Sequence, residues 1–117
     1  MAREVSINAC KALLNGKNCK LGGVCQNTYA GIGYGEVNTE IKDGTMYLFG
    51  NAIAKVVDGK LYVRIHTNSN TTRERLNTLS MFGYNISVCQ RNYNAYINGK
   101  EVDDYMAWQR VTKLGEV

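Results

Sequence analysis

Between Gly35 and Val102 short apolar-rich segments, the clearest of them alternating apolar and polar positions with a period of two, are cut by two-residue turn signals at near-regular intervals. The signals are Asp43-Gly44, Gly50-Asn51, Asp58-Gly59 and Asn98-Gly99, each flanked by apolar or β-branched residues, which is how tight hairpins are written in sequence. Strands are predicted over 37–42, 45–49, 52–57 and 60–67, and again over 85–90, 94–97 and 100–102. In the fourth, Leu61, Val63 and Ile65 alternate with Tyr62, Arg64 and His66, so one face is buried while the other presents an aromatic ring, a cation and an imidazole. In the second, Met46 and Leu48 oppose Tyr47 and Phe49. A strand bulky on both faces is expected to be central, or covered on its second face by another element or subunit.

The period changes to three or four residues in two places. Val5, Ala9, Ala12 and Leu13 predict a helix over 5–14, with Glu4 at its positive end and Asn15-Gly16 as its stop. Thr71-Thr72-Arg73-Glu74 reads as a capping box, in which Thr71 and Glu74 satisfy each other's backbone donors, and a helix over 72–82 follows. Leu76, Leu79 and Phe82 fall on its sheet side and Arg73, Asn77 and Ser80 on another, and Gly83 ends it. Between the first helix and the first strand, residues 17–35 lose all periodicity. Five glycines there, with Cys19, Cys25, Tyr29 and Tyr34, predict a loop too long to be a mere connection. The tail 103–117 fits a strand or a short helix equally well. The expected fold is α+β: one domain over 1–117, an antiparallel β-meander of about six strands with one or two short helices packed on one face.

Composition changes this picture little. The chain has 117 residues, 44% of them hydrophobic and 21% charged, with a formal charge of +4 from 14 Lys and Arg against 10 Asp and Glu. No run approaches the roughly 18 apolar residues that cross a bilayer, and residues 1–14 do not read as a secretion signal. No membrane partner is expected. A reducing compartment is, and with it free thiols at Cys10, Cys19, Cys25 and Cys89, whose irregular spacing does not suggest a disulfide framework. Thirteen asparagines gather around the turns, where their tolerance of the left-handed conformation explains them.

Candidate chemistry is sparse. His66, the single histidine, has no nucleophile at a motif-bearing position, so it reads as a strand surface residue. Cys10, Cys19 and Cys25 with His66 or Cys89 lack the paired C-x-x-C knuckle of a zinc site. The run Gly31-Ile32-Gly33-Tyr34-Gly35 lacks the strand before and the helix behind that phosphate-cradling loops need. No catalytic residue, metal ligand or cofactor is therefore expected. The patch with most substance joins Arg64, His66, Arg73 and Arg75 to Tyr47 and Tyr62. Interleaved aromatics and cations on a sheet suit single-stranded nucleic acid, which stacks its bases and pairs its phosphates. Tyr and Arg are equally the enriched anchors of protein interfaces. The residues leave both open.

The runs Asn38-Thr39-Glu40, Met46-Tyr47-Leu48-Phe49-Gly50-Asn51-Ala52-Ile53-Ala54, Thr67-Asn68-Ser69-Asn70-Thr71-Thr72-Arg73-Glu74-Arg75-Leu76-Asn77 and Tyr96-Ile97-Asn98-Gly99 resemble a group of small uncharacterised proteins of bacteriophages and prophages. The likeness covers roughly the middle two-thirds of the chain, with residues 22–35 as an insertion relative to shorter members. It implies a viral or mobile-element origin, hence the cytoplasm of a bacterial host, and carries no activity over. A non-catalytic accessory protein that binds and inhibits a host or defence protein, as anti-CRISPR and other anti-defence proteins or host-polymerase inhibitors do, is the first expectation. Single-stranded nucleic-acid binding is the second. A small-ligand sponge using the 22–35 loop, with Tyr29 and Tyr34, is the third, and a homodimer is expected from the apolar surface around Tyr47, Phe49 and the tail 105–108.

Overall fold

The computed structural model describes residues 4–22 and 37–115. Two antiparallel sheets and two helices build an α+β domain. Helix α1 (Glu4–Asn15) leads into strand β1 (Cys19–Gly22), and β2 (Val37–Lys42), β3 (Thr45–Leu48), β4 (Asn51–Val57) and β5 (Lys60–Val63) continue as a meander. Helix α2 (Asn70–Thr78) follows and tightens into a 3₁₀ turn (Leu79–Phe82), then come β6 (Val88–Arg91), β7 (Asn94–Ile97), β8 (Lys100–Glu101) and β9 (Gln109–Val111). The six-stranded sheet has the order β1-β2-β3-β4-β5-β9, and β6-β7-β8 form a separate sheet of three strands.

Several expectations shift. Residues 19–22, expected in a loop, pair with β2, because Cys19 and Leu21 alternate inward against Ile41 and Thr39. The strands after α2 do not extend the meander. The polar α2 side chain Asn77 docks the small sheet instead, donating to the Val88 carbonyl at 2.8 Å and accepting from its N–H at 2.6 Å. The sixth strand of the main sheet comes from the tail: β9 returns beside β5, pairing Tyr62 with Arg110 and Leu61 with Val111. Strand β5 stops at Val63, and by His66 the chain is left-handed at φ +57° with its N–H held by the Tyr105 carbonyl at 2.8 Å.

The turns are of one kind. Asp43-Gly44, Asp58-Gly59 and Asn98-Gly99 stand where expected, with both residues at positive φ, the geometry that matches the twist of paired strands. The turn expected at Gly50-Asn51 lies one residue earlier, on Phe49-Gly50, and a fifth, Asn92-Tyr93, carries no glycine at all. Helix α2 begins earlier than the capping-box reading placed it. Ser69 is its N-cap, accepting from the Thr72 N–H at 3.1 Å, while Glu74 turns to other partners. Gly83, at φ +92°, ends the 3₁₀ turn as expected.

One core joins these parts. Ala9, Cys10 and Leu13 of α1 meet Leu76 and Leu79 of the α2 segment over the inner face of the main sheet, where Ile41, Met46, Leu48, Ile53, Ala54, Leu61 and Val63 point. Both Ile53 and Ala54 face inward because the β3–β4 register slips between Met46 and Tyr47, leaving one extra residue in β4. Beneath α2, Ile86, Val88, Ala95 and Ile97 extend the core to the small sheet. Strand β3 is central, as its two bulky faces predicted.

Candidate functional site

Both described helices pack on the inner face of the main sheet, and no described element covers the other. The strand register fixes what that open face carries. One cross-strand row runs Lys42, Thr45, Lys55, Tyr62, Arg110, and a second runs Lys20, Glu40, Tyr47, Ala52. Lys60 in β5 and Arg64 just past its end flank Tyr62 at a spacing of two, and the Arg64 guanidinium stays on the open face over the Trp108 ring. Among the described residues the face thus gathers six cations, Lys20, Lys42, Lys55, Lys60, Arg64 and Arg110, around Tyr47 and Tyr62, with one carboxylate, that of Glu40. Among the described residues no carboxylate pairs with Lys20, Lys42, Lys55, Lys60 or Arg64.

Trp108, just before β9, completes the face. The Lys55 ammonium lies 4.3 Å from its ring centroid and the Arg64 guanidinium carbon 4.4 Å, so two cations converge on one indole. Lys55 lies farther from Tyr62, at 6.0 Å. The Arg64 Nε donates to the Ala52 carbonyl at 2.8 Å, which fixes the guanidinium across the rim of β4.

Of the six residues expected in one patch, the structure keeps Tyr47, Tyr62 and Arg64 on this face and scatters the rest. Arg75 is removed from any surface. Its side chain is 1% exposed, and its guanidinium donates to the hydroxyls of Thr39 at 3.1 Å and Ser6 at 2.6 Å and to the Glu74 carboxylate at 3.2 Å, tying α2 to α1 and β2. Arg73 lies on the side of α2 toward β6, donating to the side-chain oxygens of Asn68, Asn70 and Gln90. His66 turns away from the open face. With the inner-face residues Leu48 and Ile53 and with Phe49, Thr67, Ser69 and Thr72, it lines a cavity of about 180 Å³ beside the start of α2.

The remaining candidates resolve unevenly. Tyr29, Tyr34, Cys25 and the run Gly31 to Gly35 lie outside the described residues. Cys10, Cys19 and Cys89 are free thiols, and among the described residues no group of three or more His, Cys, Asp or Glu side chains could hold a metal ion. Burial pushes the Cys10 thiol up to about 12 against the opposing pull of Arg75, and its Sγ donates to the Arg75 carbonyl at 3.5 Å. Such a thiol is no nucleophile at neutral pH.

Lys20, Lys42, Lys55, Lys60, Trp108 and Arg110 are the residues that sequence reasoning missed. Lys42, Lys55 and Lys60 were within reach, since each sits at an outward position of a strand whose inward positions were legible. Lys20, Trp108 and Arg110 were not, because only pairing with β2 and β5 defines their strands.

Among the described residues no helix is long and apolar enough to cross a membrane. No curated protein and no solved structure matches the chain. The model of one protein family does, over residues 2–113, nearly the whole length: this is a phage protein, and it belongs to the Kyanoviridae Gp96 protein family.

Proposed function

We propose that this phage protein is a non-catalytic binder of single-stranded nucleic acid and that the open face of its main sheet is the binding surface. One observation carries the reading: among the described residues, six cations and one carboxylate lie on a face that also presents Tyr47, Tyr62 and Trp108. Cations neutralise phosphates and release counterions, and flat rings stack on bases whatever their identity. The net charge of +4 understates this polarity, because the charges are distributed unevenly over the surface.

Titrating a labelled single-stranded oligonucleotide at several salt concentrations tests it. Affinity should fall steeply with salt, with a slope of about −0.7 per phosphate engaged. The exposed pair Lys42→Ala, Lys60→Ala should flatten that slope, by about 0.7 per lost contact. Weak, salt-insensitive binding would defeat the reading.

A second reading, inhibition of a host or defence protein in the bacterial cytoplasm, rests on a different place. Phe49 and Tyr93 stand at the tips of two hairpins, 67% and 87% exposed, and both tips border the 66–69 connection, Phe49 through the shared cavity and Tyr93 through its carbonyl bond to Asn68. Exposed aromatic rings on rigid turns are the anchors of protein interfaces. A nuclease-resistant host protein retained by the wild type and lost with Phe49→Ala, Tyr93→Ala would favour this reading. Self-association is the remaining occupant of that end, and a dimer mass in light scattering at high micromolar concentration would identify it.

A further inference from the structure

Tyr62 occupies a special place on the open face. Its cross-strand neighbours are Lys55 on one side and Arg110 on the other, and its neighbours two residues away along the chain are Lys60 in β5 and Arg64 just past the strand's end. Strands lie about 4.8 Å apart and alternate residues about 6.7 Å apart along a strand, so the four cations ring one aromatic within side-chain reach. Trp108 lies beyond Arg64 and Lys55, in contact with both. Lys55 leans toward Trp108, at 4.3 Å, rather than toward Tyr62, at 6.0 Å.

Resting on the nucleic-acid reading, we infer that Tyr62 is the base-stacking centre of a nucleotide subsite and that the class bound there is an unpaired nucleotide within a strand. A base laid on the Tyr62 ring places its two flanking phosphates among cations on opposite sides, whichever way the strand runs. A duplex is excluded because its bases are already stacked on one another and cannot reach the ring. A free mononucleotide gains the stack but engages few of the four cations, whereas a strand contributes a phosphate on each side of the stacked base. Lys55 is the coupling residue: a phosphate that draws its ammonium away changes the surroundings of the Trp108 indole, and Trp108 is the only tryptophan in the chain.

Trp108 emission is therefore the readout. A short oligothymidylate, thymidine monophosphate and a duplex of the same length are each titrated against the full chain. The expected result is a saturable emission change with the oligothymidylate, much weaker binding of the mononucleotide, and no displacement by the duplex. Tyr62→Leu, which keeps apolar bulk, should weaken oligothymidylate binding about tenfold while leaving the salt slope unchanged, and Tyr62→Phe should restore it. Lys60→Ala should do the reverse, lowering the salt slope while the emission change persists. Undiminished binding by Tyr62→Leu, or equal binding of single strand and duplex, would overturn the subsite while leaving a phosphate-binding face in place. Mononucleotide binding as tight as that of the strand would overturn the strand assignment in favour of a small-ligand site. No binding of any of the three would overturn the subsite and the proposed function together.

Discussion

The Arg75 guanidinium donates to the Ser6 hydroxyl at 2.6 Å, and that hydroxyl in turn donates to the Glu74 carboxylate at 2.7 Å, so a side chain from the first turn of α1 closes a polar ring around a buried cation of α2. Thr39 accepts from the Nε of the same arginine at 3.1 Å. A buried charge is tolerable only when its donors are occupied, and among the described residues no buried side-chain polar atom lacks a partner.

Arg75→Ala should therefore act on stability rather than on binding. Removing one member of a buried charged network strands the others, and the expected loss is about 3 to 5 kcal/mol in urea unfolding. Arg73→Ala is the contrast. Its guanidinium meets only amide oxygens at a partly exposed site, so the loss should stay below about 1 kcal/mol and oligonucleotide affinity should not change.

Leu76 is fully buried between α1 and the sheet. Leu76→Ala should cost about 2 to 5 kcal/mol through lost burial and the cavity left behind, and a loss under about 0.5 kcal/mol would take α2 out of the core.

Tyr93 holds a left-handed backbone, φ +68°, with an almost fully exposed side chain that returns little packing. Tyr93→Gly creates the Asn-Gly pair such turns prefer. The variant should gain about 1 kcal/mol and raise the thermal midpoint, because the penalty for a Cβ in this conformation disappears.

The Cys10 thiol, raised from 9.0 to about 12 by burial, gives stability a defined dependence on alkali. The folded state holds this proton more tightly than the unfolded chain, so the contribution is complete below about pH 9 and is lost as pH climbs from there through 12. Unfolding midpoints measured across that range should fall. At pH 8, a thiol reagent should modify the native protein at Cys19 and Cys89 and leave Cys10 for the unfolded chain. Mass spectrometry of the non-reduced protein should find all thiols intact.

Local signals in the sequence were enough for whatever depends on neighbours along the chain. Three of the hairpin turns, the α1 periodicity, the Leu76 and Leu79 face and the alternation of Leu61, Val63 and Ile65 all follow from backbone preference and from the two periods of helix and strand, which act over a few residues. Where those signals compete, tertiary contacts chose. Thr71 and Glu74 spell a capping box, yet Glu74 is worth more beside Ser6 and Arg75, and Ser69 takes the cap. Gly50-Asn51 reads as a turn, yet the β3–β4 register puts Phe49 and Gly50 there. Arg75 looks like its surface neighbour Arg73. Only the arrival of α1 and β2 makes it a core residue, because the hydroxyls that occupy its donors beside the neighbouring Glu74 carboxylate lie 69 and 36 positions away in sequence. The open face has the same origin. The sequence determined that Tyr62 and Arg64 point away from the core, and the Asp43-Gly44 and Asp58-Gly59 turns put Lys42 and Lys55 in register with that face, but only the pairing of β1 with β2 and of β9 with β5, between segments far apart in the chain, decided that Lys20, Trp108 and Arg110 share it.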